Sequence, residues 1–118
     1  MDVNELASSV LTGSTEQFSS ASLTDKILVL RHLLRGSGYH VKLLALRLIQ
    51  ADTAAELLPE IRELACDWRP DIRAHSLESL RGLDPYEISD ILREALRDPN
   101  RKVRMIAAEL FHSLKRAA

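Results

Sequence analysis

The feature that most constrains this chain is an internal period of 31 residues: Ser22 to Asp52, Thr53 to Leu83 and Asp84 to Leu114 align without gaps. A fixed period of this kind marks stacked supersecondary units, each too small to bury its own apolar face. Ser22, Thr53 and Asp84 share one column. All three are residue types whose side-chain oxygen accepts from the free N–H groups of a first helical turn. Three positions later stand Asp25, Glu56 and Glu87, completing a capping-box pattern in each segment, and Pro85 suits a first helical position.

Apolar spacing predicts a helix after each of these starts. Ile88, Ile91, Leu92, Ala95 and Leu96 recur at helical intervals in the third segment; the second has Leu57, Ile61, Leu64 and Ala65, and the first Ile27, Leu30, Leu33 and Leu34. Short breaks come next at 36–39 (GSGY), 67–70 (DWRP) and 98–101 (DPNR). A second periodic run then starts at Val41, Ile72 and Val103, so each segment reads as helix, tight turn, helix. No stretch alternates apolar and polar residues for long enough to form a strand, and aromatics are only 4%. The predicted fold is therefore all-α: a short α-solenoid of three helix-turn-helix repeats at 22–52, 53–83 and 84–114, in a domain spanning 22–118. Residues 1–21 differ in kind. Val3 to Leu11 can form a short helix with Leu6, Val10 and Leu11 on one side, and the Ser/Thr-rich stretch 12–22 reads as a linker. This segment is either a cap over the end of the solenoid or a free tail that reaches a partner. Leu28, aligned with Pro59 and Asp90, is the extra apolar residue a cap would cover.

The stretch DPNRKVRMIAAELF at 98–111, with weaker copies DWRPDIRAHSLESL at 67–80 and GSGYHVKLLALRLI at 36–49, resembles HEAT repeats, particularly the short repeats of proteins similar to phycobilisome lyases. The resemblance covers residues 22–114. It implies a superhelix stiffened by a ladder of turn aspartates and second-helix arginines. Asp67 with Arg73 and Asp98 with Arg104 match that pattern, whereas the first repeat has Gly36 and Lys42.

Composition narrows the function. Lys and Arg total 16 against 17 Asp and Glu, a net charge of −1 that argues against a nucleic-acid partner. Two columns, Arg31/Arg62/Arg93 and Lys42/Arg73/Arg104, could form basic rows. The second is taken up by the implied ladder, and the first, beside His32, Glu63 and Glu94, reads as a solvated flank. No apolar run approaches ~18 residues, and the acidic N-terminus lacks a signal-peptide pattern, so neither membrane span nor signal peptide is expected. The single cysteine, Cys66, cannot form an intrachain disulfide, which fits a reducing cytoplasm. It shares a column with Arg35 and Arg97 and should face outward. His32, His40, His75 and His112 show no metal-ligand spacing, and no glycine-rich phosphate loop occurs. The expectation is no catalysis, no metal and no cofactor.

What remains is a protein-protein interaction module, an adapter or regulatory subunit. The alternative is a HEAT-like nucleic-acid-binding or enzyme-accessory, lyase-like subunit. The candidate surface lies on the second helices, where positions turned from the predicted core form columns: Tyr39, Pro70, Arg101; Leu43, Ala74, Met105; Leu46, Leu77, Ala108; Arg47, Glu78, Glu109; and Gln50, Arg81, His112. All of these except Pro70, Glu78, Ala108 and Glu109 are candidate partner-binding residues. Two columns are apolar and rimmed by both signs of charge, the pattern of a protein-binding patch. Trp68 joins them because a turn does not require a tryptophan, although its indole could also fold back on the neighbouring repeat. In the middle repeat His75, aligned with Leu44 and Ile106, is expected in the core as a hydrogen-bonded histidine or a pH-sensitive joint, near Ser76 and Ser79.

Overall fold

Strong helix starts at one end of the chain and a proline in the middle of it decide where the helices fall. The computed structural model describes residues 2–36 and 38–117, with side chains through Ser113. Ser37 in the first turn and the Leu114 side chain that closes the third segment lie outside the described residues. All regular structure among the described residues is helical.

Helix α1 (Val3–Leu11) opens on Asp2, whose carboxylate accepts the Glu5 N–H at 2.8 Å. It ends on Gly13 at φ +95°, with the Gly13 N–H on the Val10 carbonyl and the Ser14 N–H on the Ser9 carbonyl, both at 3.0 Å. That left-handed residue satisfies the last carbonyls of the helix, a conformation glycine adopts at least cost. Where a linker was expected, α2 (Glu16–Ser20) buries Phe18. Leu6, Ala7, Val10 and Phe18 all enter the core, and α1 packs on α3 (Leu23–Arg35). The N-terminal segment therefore lies against the helical body. It does not cover Leu28, which stays exposed: α3 turns Val29, Leu30, Leu33 and Leu34 inward, and Leu28 sits about 100° around the helix from Val29. Leu11 is likewise exposed, its expected place taken by Ala7.

The remaining helices are α4 (Tyr39–Leu48), α5 (Ala51–Ala54), α6 (Leu58–Leu64), α7 (Pro70–Glu78), α8 (Ser89–Ala95) and α9 (Arg101–Ala117). Of the three predicted caps only Ser22 acts as one, its hydroxyl accepting the Asp25 N–H at 3.1 Å. Thr53 lies inside α5 and its Oγ1 accepts the Gln50 N–H at 3.2 Å. Pro59 explains the change. It has no N–H to give to an earlier turn and its ring crowds that turn, so a helix running through from Thr53 breaks and α6 restarts with Pro59 in its first turn. Asp84 closes a local turn, its carboxylate accepting the Tyr86 N–H at 3.0 Å, and α8 begins only at Ser89.

Consecutive helices pack as pairs, α3 with α4, α6 with α7 and α8 with α9, and the pairs join through α4 on α7 and α7 on α9. The body measures 43 × 29 × 20 Å. Burial recurs at the sequence period: Leu30, Ile61 and Leu92 are fully buried, as are Ala45, Ser76 and Ala107. The small residues of the second column let helices approach closely. Ser76 tolerates that place because its hydroxyl donates to the Ile72 carbonyl at 2.7 Å, and buried Ser79 donates to the Ser76 carbonyl at 2.6 Å. His75 is not the core histidine expected. It is half-buried at the core's edge, as is Leu44 in the same column, and its ring makes no hydrogen bond among the described residues.

Gly82, between α7 and α8, passes so close to α5 that an added Cβ would lie 2.5 Å from the Ala51 Cβ and 2.9 Å from its Cα. Gly82→Ala is expected to cost about 1–3 kcal/mol through overpacking. A lowered urea midpoint with unchanged far-ultraviolet dichroism would show it; an unchanged midpoint would mean the two segments separate freely.

Candidate binding surface

The turns before α7 and α9 are held by charge. Arg73 of α7 grips the Asp98 carboxylate with Nε at 2.7 Å and Nη2 at 3.0 Å, and donates Nη1 to the Asp67 carbonyl at 2.8 Å. Both side chains are largely buried, 13% and 10% exposed. Burial pushes the Asp98 carboxyl up, but the Arg73 hydrogen bonds, together with the Asn100 N–H, outweigh it and hold the group below the usual carboxylate range. The expected rungs are thus re-partnered. Within its own segment each arginine meets the turn through a carbonyl, Arg73 that of Asp67 and Arg104 that of Asp98, while the Asp98 carboxylate is claimed by the segment before.

The Asp67 carboxylate turns to Arg69 instead, accepting its backbone N–H at 2.9 Å, Nε at 3.0 Å and Nη2 at 3.1 Å. The Arg69 side-chain bonds, opposed by burial, hold the Asp67 carboxyl low, with smaller help from Lys42. Fixed in this way, the Arg69 guanidinium lies over two rings, 5.1 Å from the Tyr39 centroid and 5.3 Å from that of Trp68. Trp68 is 81% exposed, so its indole does not fold back onto a neighbouring helix pair. Tyr39 and Trp68, singled out separately in the sequence, are brought together by Arg69, which was not. The signal available was Asp67 and Arg69 flanking the tryptophan within one turn.

The second-helix columns need correction. Leu46, Ala74 and Leu77 are 2%, 3% and 1% exposed, because α7 packs over α4 and α9 packs over α7. They belong to the core. Leu43 is half-buried against it, and only on α9, which has no further helix over it among the described residues, are Met105 (53% exposed) and Ala108 open. Between α4, α7 and α9 runs a shallow groove, with Leu46, Ile49, Ala74 and Ile106 beneath Arg47, His75, Glu78 and Lys102. Gln50 is exposed and caps α5. Arg81 is exposed yet engaged, reaching Glu78 at 2.6 Å and Glu109 at 2.8 Å; the Arg81 hydrogen bond, against burial, holds the Glu78 carboxyl low. Arg101 and His112 are exposed and make no side-chain hydrogen bond among the described residues.

The other arginine row runs along an exposed flank, with His32, Glu63, Arg93 and Glu94 open to solvent, but two of its arginines are paired. Arg31 reaches Glu60 at 2.7 Å, Arg35 joins the same carboxylate oxygen at 3.0 Å, and Arg62 reaches Asp90 at 2.6 Å. Cys66 is exposed, as its column implied. Among the described residues no group of three His, Cys, Asp or Glu could hold a metal ion, and no helix is long and apolar enough to cross a membrane. No protein-family model, curated protein or solved structure matches the chain.

Proposed function

We propose that this chain is a protein-protein interaction module, a three-repeat HEAT-like solenoid serving as a cytoplasmic adapter or regulatory subunit, with Trp68 as its anchor and no catalysis or cofactor of its own. The observation that carries the reading is the 81% exposed indole on a turn braced by Asp67, Arg69 and Tyr39. A large apolar ring held out on a rigid support loses little entropy on binding, and tryptophan and arginine dominate the energetics of protein interfaces. The repeat reading draws support from the burial pattern that returns every 31 residues and from the paired helices. Neutralisation of Arg31 and Arg62 by Glu60 and Asp90, and of Arg73 by Asp98, weighs against a phosphate-binding row.

Affinity capture from the source cell with the wild-type chain and with Trp68→Ala tests this. The variant should keep its stability within about 0.5 kcal/mol and lose a stoichiometric partner by roughly 30-fold or more in affinity, the scale of an interface hot spot. Equal recovery of that partner by both proteins would remove Trp68 as the anchor.

A further inference from the structure

The two junctions between helix pairs share an arginine on the first helix that reaches a carboxylate of the next pair, buried at Glu60 and exposed at Asp90. On the first-helix side, Arg31 of α3 reaches Glu60 of α6, and Arg62 of α6 reaches Asp90 of α8. On the second-helix side, Arg73 of α7 takes the Asp98 carboxylate of the next turn, whereas at the earlier junction Lys42 of α4 only adds positive charge near Asp67, whose carboxylate Arg69 holds. Between these charged rows lies an apolar strip, Ala74 and Leu77 of α7, closed by α9.

The third pair repeats the donor half of this arrangement. Arg93 aligns with Arg31 and Arg62, is exposed, and has no carboxylate partner among the described residues. Arg104 aligns with Arg73 and donates Nη1 to the Asp98 carbonyl at 2.7 Å, as Arg73 does to that of Asp67. Its Nε and Nη2, the edge that in Arg73 holds a carboxylate, have no hydrogen-bond partner among the described residues. Met105 and Ala108, the counterparts of Ala74 and Leu77, are exposed. Two cations and the strip between them thus stand as they do at the junction where α6 and α7 receive α8 and α9.

We propose that the outer face of α8 and α9 docks a helical hairpin of another protein, one with a turn aspartate for Arg104 and a carboxylate on its first helix for Arg93. A second copy of this chain is the wrong occupant. Its first pair has Gly36 where the others carry Asp67 and Asp98, and Val29 and Leu28 where they carry Glu60 and Asp90, and α1 packs against that pair. Two copies meeting by this face would set arginine against arginine. The surface is separate from the Trp68 ridge, so either assignment can fail alone.

The test uses this molecule's own acidic hairpin, residues 84–114, as the probe, first joined after Leu114 of the full chain and then supplied in trans as a peptide. The extended chain should unfold in one urea transition with a higher midpoint and a larger m-value than the parent. Arg104→Gln in the receiving face, or Asp98→Asn in the added copy alone, should remove most of that rise, and the two changes together should remove no more than either. In trans, rising peptide concentration should raise the parent's midpoint, and the Asp98→Asn peptide should not. No gain in helicity or midpoint in the extended chain, or a gain untouched by Arg104→Gln, overturns the proposal.

Discussion

Leu77→Ala is expected to lower stability by about 2–5 kcal/mol, the cost of emptying a buried leucine site, while Met105→Ala stays within about 0.5 kcal/mol. Both residues lie on second helices, in columns that sequence patterning alone turns away from the core. The structure separates them: Leu77 is 1% exposed beneath α9, and Met105 is 53% exposed on α9 itself. Urea unfolding of the two variants beside wild type decides the matter. Similar losses would mean that the junction between α7 and α9 does not form in solution.

Arg73→Ala is expected to cost about 3–5 kcal/mol near neutral pH, since it leaves the Asp98 carboxylate largely buried without its bidentate partner. The deficit should depend on pH in a definite direction. In the wild type the Asp98 carboxyl is held below its unfolded value of about 3.9, so the stability it brings is complete above that value and is lost as pH falls through the folded-state value. In the variant burial remains and the cation is gone, which pushes the carboxyl up. Protonation then relieves the folded state, and the gap between the proteins should narrow as pH falls through the carboxylate range. Asp98→Asn added to Arg73→Ala should recover part of the loss at neutral pH. A gap constant with pH would show that Arg73 acts through packing and its bond to the Asp67 carbonyl, not through the ion pair.

Much of the helical plan was legible because it rests on periodic burial. Leu30, Ile61 and Leu92 mark the inner face of each first helix, and Ala45, Ser76 and Ala107 the close contact of each second. Helix starts were less legible, because a capping residue type is also a turn-forming type. Asp84 spends its carboxylate on Tyr86, and Pro59 shifts the start of α6 past Thr53. The surface was misread for a different reason. A column carries no mark of which member has another helix over it, so Leu46, Ala74 and Leu77 looked like Met105. Nor does the period say whether an arginine bonds within its segment or across to the next, which is how Asp67 came to hold Arg69 and Asp98 to hold Arg73. Trp68 stood out because nothing in the fold of a turn asks for it.

The chain has one tryptophan beside two tyrosines, so emission excited at the red edge of the indole band reports the proposed anchor in the free chain and, once the partner's own emission is subtracted, in the complex. Acrylamide quenching of that emission, in the free protein and again with the captured partner at saturation, tests the central claim most directly. The expected result is red-shifted, readily quenched emission in the free chain, and a blue shift with strong protection in the complex. An indole already protected in the free chain, or one equally quenchable with the partner bound, would contradict Trp68 as the anchor.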